Sequence, residues 1–311
     1  DASAKEDGDG GEIVVWSDIT NLDSVTSVAG TLLATGGVKG GDGGEIETSG
    51  FELDVAGIDV DATASEGEQG LWLLDPFDYT LDSTDASTIE TAVEDGNNVT
   101  ISTAAALNSV SGGAIQADNS SDSTGGTITI DSSITIDSAP SGGSAGSLSF
   151  VADKDIVVNE SITTSVGITA GDLVLDSETG ITIPSGGSID WNPGSSGSVL
   201  LEATTSGGLQ GLNNSSVGDI VVPQGTLTVD QSGDTVFRGK ISVDQVFIKD
   251  GSGTLNLPPN ADTNVFNEIR LTSGFLGLGN ANALGSQYAT TAGKVIKFLG
   301  GGLFHNNNTQ D

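Results

Sequence analysis

Cysteine and methionine are both missing from this 311-residue sequence, and basic residues are scarce. Without cysteine the chain has no disulfides, no zinc–thiolate sites and no thiol nucleophile. Its nine lysine and arginine residues stand against 43 acidic ones, which gives a formal net charge of −34. Such a charge repels phosphate backbones and anionic lipid headgroups. We therefore predict no nucleic-acid partner, and we interpret the acidic surface mainly as a solvated face.

Long apolar runs and an export leader are missing as well. The sequence has no run of about 20 apolar residues, so we predict no direct insertion into a membrane. It has no signal-peptide pattern, and its first residue is not methionine. We interpret the chain as a piece of a longer protein, whose export would depend on sequence outside this piece.

The residues that are abundant favour short β-strands. The chain has 46 glycines and is 35% hydrophobic, which is enough apolar material for a buried core. Turn-forming residues together with Val, Ile and Thr are typical of many short strands joined by tight turns. Apolar residues with a helical period of 3.6 are largely missing.

Short β-type runs recur from about residue 125 onward. Runs that begin at Ile128, Leu148, Leu173 and Val199 lie 20, 25 and 26 residues apart. Apolar residues often alternate within a run, which places one side inward and the other in water. A single coil cannot bury its inward side alone, whereas stacked coils bury it together. The sequence therefore predicts an all-β, right-handed parallel β-helix; the alternative is an antiparallel sandwich.

The stretch at 83–120 interrupts this pattern, and we predict a less regular insertion there. Short helical segments are predicted at Ser87–Val93 and Thr103–Leu107. The resulting sections are a β-helical part at 1–82, an irregular region at 83–124 and a β-helical repeat part at 125–311.

Three motifs in the first section resemble the filamentous-haemagglutinin-like exoproteins. They are Gly10–Asp18 (GGEIVVWSD), Gly40–Gly50 (GGDGGEIETSG) and Leu71–Leu81 (LWLLDPFDYTL). Two later segments, Gly253–Leu257 and Gly274–Gly285, resemble repeats of autotransporter passengers. The resemblance covers about a third of the chain. It implies a secreted, cell-surface β-helical protein that acts in adhesion, biofilm formation or contact with other cells. It also implies an outer-membrane secretion pore as partner. The Asn-Pro signature of the family's secretion domain is not recognised here, so the export route rests on the resemblance alone.

Calcium is the one cofactor for which the sequence offers candidates. The Gly/Asp segments around Asp7, Asp9 and Asp42 resemble nonapeptides that bind Ca²⁺ between β-roll turns. Asp59 and Asp61 would project from the same side of one strand. Since Ca²⁺ takes six to eight oxygen ligands, and since no tandem copy follows, structural turns are the favoured interpretation.

A few acidic and aromatic residues are candidates for catalysis or for sugar binding. Asp75 and Asp78 could form a carboxylate pair of the kind that polysaccharide hydrolases use, but Asp75 before Pro76 also fits a turn. The single histidine, His305, has no plausible triad. Three tryptophans, Trp16, Trp72 and Trp191, are candidates for stacking on sugar rings, although a packed or half-packed position is the favoured interpretation for Trp16 and Trp72. We predict no catalytic residue.

The function predicted from these observations is a non-enzymatic, structural and adhesive segment that contacts a glycan or protein on another cell or matrix. One alternative is a carbohydrate-active enzyme, a polysaccharide lyase or hydrolase, on the same scaffold. Another is a self-assembling extracellular fibre subunit, because unpaired strand ends invite end-to-end association.

Overall fold

The computed structural model describes residues 1–19, 21–103, 126–205, 207–210, 217–258, 264–279, 283–285 and 293–305. These residues divide into two compact units. Unit 1 contains Asp1–Asp153 and Ser165–Gly171, and unit 2 contains Lys154–Thr164 and Asp172–Asp311. Within the described ranges, no helix is long and apolar enough to cross a membrane.

Unit 1 is built from short strands and one helix. In chain order its described elements are β1 (Glu12–Trp16), β2 (Val25–Ser27), β3 (Gly30–Leu33), β4 (Glu45–Gly50), β5 (Glu52–Asp54), β6 (Ile58–Asp61), β7 (Leu71–Pro76), β8 (Tyr79–Leu81), α1 (Ser83–Glu94), β9 (Asn98–Ser102), β10 (Ile128–Ile130), β11 (Ile134–Ile136) and β12 (Leu148–Ala152). Strands that are equivalent in successive coils pair in parallel. One such sheet runs β1-β4-β7-β9-β12, and three shorter pairs are β2-β5, β3-β6 and β8-β10.

The helix α1 occupies the place of a strand beside β6 and β11, both of which it contacts. It begins at the N-cap Asp82, whose carboxylate accepts the Thr84 and Asp85 amides at 2.7 and 3.1 Å. Its apolar side is buried, namely Ala86, Ile89, Ala92 and Val93. On its other side, Glu90 Oε1 accepts the Thr135 amide at 2.6 Å, which satisfies a donor on the edge of β11.

Unit 2 repeats the same architecture. Its described strands are β13 (Asp155–Val158), β14 (Ser161–Thr164), β15 (Leu173–Ser177), β16 (Gly180–Thr182), β17 (Ser188–Asp190), β18 (Ser198–Ala203), β19 (Leu209–Gln210), β20 (Ile220–Val222), β21 (Thr226–Gln231), β22 (Thr235–Val236), β23 (Ile241–Asp250), β24 (Thr254–Leu257), β25 (Val265–Leu271), β26 (Phe275–Leu278), β27 (Val295–Phe298) and β28 (Gly302–His305). Parallel pairing gives the orders β15-β18-β21-β23-β25-β27, β14-β17-β20-β23, β13-β16-β19 and β22-β24-β26-β28.

Alternation of residues in each strand fixes the inside of the coils. In β18, Val199, Leu201 and Ala203 are buried, whereas the residues between them are only half-buried. The register then stacks inward residues of successive coils directly on one another, as Leu173, Val199 and Leu227 do. Neighbouring parallel strands lie about 4.8 Å apart, so each layer closes the apolar interior of the next. The all-β, parallel β-helical fold predicted from the sequence is confirmed.

The structure describes residues 83–103 of the predicted irregular region 83–124. Residues 83–102 form α1 and then β9, which pairs with β7 and β12 inside the longest sheet of unit 1. The helical segment predicted at Ser87–Val93 lies within α1. Of the segment predicted at Thr103–Leu107, only the first residue lies among the described residues. The division into three sections remains a prediction.

Candidate functional site

The Gly/Asp turns proposed for calcium hold neighbouring coils together. Asp9 Oδ1 accepts the Asp42 amide at 2.9 Å, and Asp42 Oδ1 accepts the Glu68 amide at 2.9 Å. A side chain at Gly41 would place its Cβ 2.0 Å from the Gly8 carbonyl oxygen, so this turn requires glycine for the close approach of two backbones. Asp7 is exposed beside the same turn. The carboxylates of Asp9 and Asp42 therefore serve as acceptors for backbone amides.

The other two calcium candidates lie on β6. Asp59 is exposed, and Asp61 Oδ1 accepts the amide and the hydroxyl of Thr63 at 3.0 and 2.7 Å. Within the described ranges, no three His, Cys, Asp or Glu side chains converge in a way that could hold a metal ion. The interpretation of these segments as structural turns, with calcium binding as the less favoured alternative, stays a prediction.

The three tryptophans differ in accessibility. Trp72 and Trp191 are fully buried, so neither ring can stack on a sugar. Both occupy inward positions, where a large aromatic side chain fills the interior between coils. Trp16, at the end of β1, is 52% exposed and is therefore the one candidate that keeps an accessible ring.

The possible carboxylate pair does not offer two accessible groups. Asp75 is 3% exposed, and it lies on β7 opposite Ser49. The Asp78 carboxylate accepts the Thr127 amide at 2.9 Å and so connects two coils. His305 is exposed on β28, opposite Leu278 of the previous coil.

A column of stacked carboxylates lies on the outer side of unit 2. The register places Asp176, Glu202, Asp230 and Asp250 directly opposite one another on β15, β18, β21 and β23. Burial raises the pKa of Asp176, Glu202 and Asp230, and the neighbouring carboxylates raise each pKa further; Lys249 opposes this at Asp230. We call these four residues the acidic column. Sequence reasoning missed it because the spacings of 26, 28 and 20 residues show no fixed period.

The acidic column should make the chain less stable at neutral pH and low salt. Like charges directly opposite on neighbouring strands destabilise a sheet. Because the folded-state pKa values of Asp176, Glu202 and Asp230 lie above the ordinary ones, these three carboxylates lower the stability most at neutral pH. The stability of the chain rises as the pH falls through these raised pKa values toward about 4. The gain is complete when the pH is below the ordinary pKa of Asp and Glu.

Glu202→Gln tests this effect, because Glu202 lies between two acidic neighbours. We expect it to raise the free energy of unfolding by roughly 0.5–1 kcal/mol at pH 7 in low salt. In about 1 M NaCl, where the screening length is near 3 Å, most of the gain should vanish. Urea unfolding at both salt concentrations measures this, with Glu66→Gln in an exposed loop as the control. If Glu202→Gln and Glu66→Gln gained stability equally, the effect could not be assigned to repulsion within the acidic column.

A surface groove in unit 1 lies where α1 ends. It has a volume of about 400 Å³, and its lining includes Gln69, Asp95, Asn98, Pro140 and Ser144. Asp95 is the C-cap of α1, and Gly96 leaves the helix with a φ of 99°. No residue of its lining is basic.

Fixed hydrogen bonds hold the walls of this groove. The Gln69 amide accepts from the Ala64 amide and donates to the Ala64 carbonyl, both at 3.0 Å. Asn98 Nδ2 donates to the Gln69 carbonyl at 3.0 Å, and its Oδ1 accepts the Ser147 amide at 3.1 Å.

Hydrogen bonds of Asn97 and Gly146 hold the backbone beside the groove in place. Asn97 is fully buried, and its side chain bonds the backbones of Ala62, Val60 and Ala92 at 2.7–3.1 Å. The Gly146 amide donates to the Val93 carbonyl at 2.7 Å, and a Cβ at Gly146 would lie 1.8 Å from the Asn97 carbonyl oxygen. The Gly/Ser-rich stretch at 141–147 is the one local pattern in the sequence that coincides with the groove.

The Asp95 carboxylate is the charged group of the groove. Burial raises its pKa, and the charges of Asp59 and Asp61 on β6 raise it further. Two of the calcium candidates thus lie near enough to Asp95 to influence it electrostatically, and all three residues contribute negative potential at this corner of unit 1.

The sequence was compared with models of known protein families and with curated proteins. No model of a known protein family matches this chain, and no curated protein matches its sequence.

Proposed function

We propose that this chain is a non-enzymatic, structural and adhesive segment of a secreted bacterial surface protein, in which a β-helical shaft presents its outer loops to another cell or to matrix. The observation that carries the proposal is the register of the three haemagglutinin-like motifs. Their strands β1, β4 and β7 pair directly, with Ile13 opposite Ile46 and Ile46 opposite Trp72. The motifs are therefore one structural element repeated on three successive coils, as a fibrous exoprotein requires.

The interior of the coils supports a load-carrying role. Along the longest sheet of unit 2, the inward column Leu227, Phe247 and Ile269 is fully buried and made of large apolar residues. Hydrogen-bond ladders join each of these strands to those above and below. A shaft of this kind resists bending because a bend must break ladder bonds and open the packed interior.

The outer surface supports a role outside the cell. A net charge of −34 keeps a repetitive β-protein soluble and limits association along its sheets. Salt at extracellular concentrations screens the resulting self-repulsion. Export through an outer-membrane secretion pore belongs to the same proposal and rests on the motifs in β1, β4 and β7.

A bead assay combined with polysaccharide digestion tests the proposed function. Beads coated with the full chain should attach to cell surfaces or to extracellular matrix, and the chain should release no reducing ends or unsaturated sugars from a panel of polysaccharides. Beads coated with an unrelated protein of similar net charge control for nonspecific repulsion and attachment. Polysaccharide cleavage would refute the proposal in favour of an enzyme, and attachment no better than the control would refute the adhesive role.

A further inference from the structure

We propose that the groove at the end of α1 binds one non-acidic sugar residue of a surface or matrix glycan. This inference rests on the proposed function and adds the site and the class of ligand. The groove is the corner of unit 1 lined by Gln69, Asp95, Asn98, Pro140 and Ser144.

The polar groups in the lining match the chemistry of sugar hydroxyls. A hydroxyl donates one hydrogen bond and accepts others, so it needs acceptors and donors side by side. Asp95 supplies carboxylate oxygens that accept no hydrogen bond from the described residues, and Ser144 supplies a hydroxyl that likewise makes no hydrogen bond with them. The side-chain amides of Gln69 and Asn98 each donate one N–H to a backbone carbonyl. The second N–H of each amide is available to a ligand.

The side chains that line the groove are held in place before a ligand binds, which favours binding. The bonds of Gln69 to Ala64 within its own turn, and of Asn97 and Asn98 to neighbouring coils, fix the walls before any ligand binds. A preformed site avoids the entropic cost of ordering its side chains when the ligand binds. The Pro140 ring adds a small apolar surface for the C–H side of a sugar ring.

The charge and the size of the groove select the ligand. Asp95, with Asp59 and Asp61 close enough to influence it, repels carboxylate, sulfate and phosphate groups, and no basic residue of the lining could neutralise them. Uronic acids, sialic acids and sulfated sugars are therefore excluded, whereas neutral and amino sugars remain. A volume of about 400 Å³ lies toward the small end of ligand pockets and suits one sugar residue at a time.

Binding of the full chain to an array of neutral, amino and acidic glycans tests the proposal, followed by titration calorimetry with the best glycan. We expect the signals to come from non-acidic glycans. Ser144→Trp, at an exposed position, should fill the groove and weaken binding at least tenfold. Asp95→Ala should weaken it about tenfold or more, because hydrogen bonds to a charged acceptor are among the strongest polar contacts.

Two matched variants control for surface changes outside the groove. Ser138→Trp and Asp137→Ala alter exposed residues that do not line it, and both should bind within twofold of the original chain. Circular dichroism confirms that each variant folds. A preference for acidic glycans, no array signal, or equal binding by Ser144→Trp and the original chain would overturn the groove assignment. If chain-coated beads still attach to matrix in those cases, the proposed adhesive function stands; if attachment also fails, both proposals fall.

Discussion

Trp72→Ala is expected to lower the free energy of unfolding of the N-terminal coils by about 3–5 kcal/mol. Trp72 is fully buried on β7, between Ile46 of β4 and Val99 of β9. Its removal leaves a cavity between stacked coils, which the rigid ladders on either side prevent from closing. It also removes the hydrogen bond that Trp72 Nε1 donates to Thr48 Oγ1 at 3.1 Å, and leaves that buried oxygen without a donor.

Trp16→Ala provides the matched control, because Trp16 is also on a strand of the same sheet but is 52% exposed. Its effect should stay within about 0.5–1 kcal/mol. Trp72→Phe keeps most of the volume and loses the hydrogen bond, so its cost should be intermediate, about 1–2 kcal/mol. Urea unfolding followed by far-ultraviolet circular dichroism measures all three variants. Equal destabilisation by Trp72→Ala and Trp16→Ala would show that the interior is not packed as described.

The chain should also become more stable as pH rises from 7 to 9.5, because of a lysine inside the coils. Lys249 is fully buried on β23, between Val229 and Leu271 of the adjacent coils. Its Nζ donates to the carbonyl oxygens of Asp250 and Gly251. Burial lowers its pKa to about 8, against the opposing attraction of Asp230, Asp250 and Asp234.

The direction of this effect follows from proton binding. Above pH 8 the folded chain has released the Lys249 proton, whereas the unfolded chain holds it until about pH 10.5. The unfolded state therefore binds more protons in this window, and stability increases with pH. From pH 7 to 9.5 the gain is about 2 kcal/mol, because the slope grows toward about 1.4 kcal/mol for each unit of pH as the folded chain releases the proton. Measurements stop at pH 9.5 because ordinary tyrosines begin to ionise near 10.

Lys249→Met separates this lysine from every other titrating group. Methionine keeps a similar length and carries no charge, so the variant should lack the rise in stability between pH 7 and 9.5. Lys240→Met, at a half-buried position on the same part of the chain, should keep the rise. Urea midpoints across the pH range, at one fixed salt concentration, give the comparison. A rise of the same size in Lys249→Met would assign the effect to other groups.

Most of the strand positions followed from short-range sequence pattern. Runs such as Ile-Thr-Ile at 134–136 and Leu-Asn-Leu at 255–257 alternate, and both are strands with buried apolar residues. The helix α1 was only partly anticipated. Its first turn depends on the Asp82 cap, and its place depends on contact with β6 and β11, which are 22 and 40 residues from the helix.

The candidate sites were harder to predict than the strands. Trp72 lies between two leucines and Trp191 between Asp190 and Asn192, and neither local pattern separates an inward ring from an outward one. The groove at Asp95 is assembled from three coils, since Gln69, Asn98 and Ser144 are far apart in sequence. The Gly/Asp motif around Asp9 and Asp42 is local in the sequence. The role of these two carboxylates is not local, because they accept the amides of Asp42 and Glu68, which lie on the next coils.

The amino-acid sequence by itself determined that this chain is built from many short β-strands, and it favoured a parallel β-helix because stacked coils bury the alternating apolar residues together. Only the tertiary structure decided which residues of different coils meet. Coil length varies along the chain while the strands stay in register, so the separation of two residues in the sequence does not tell whether they meet. The acidic column, the buried Lys249 and the groove beside Asp95 all depend on that register.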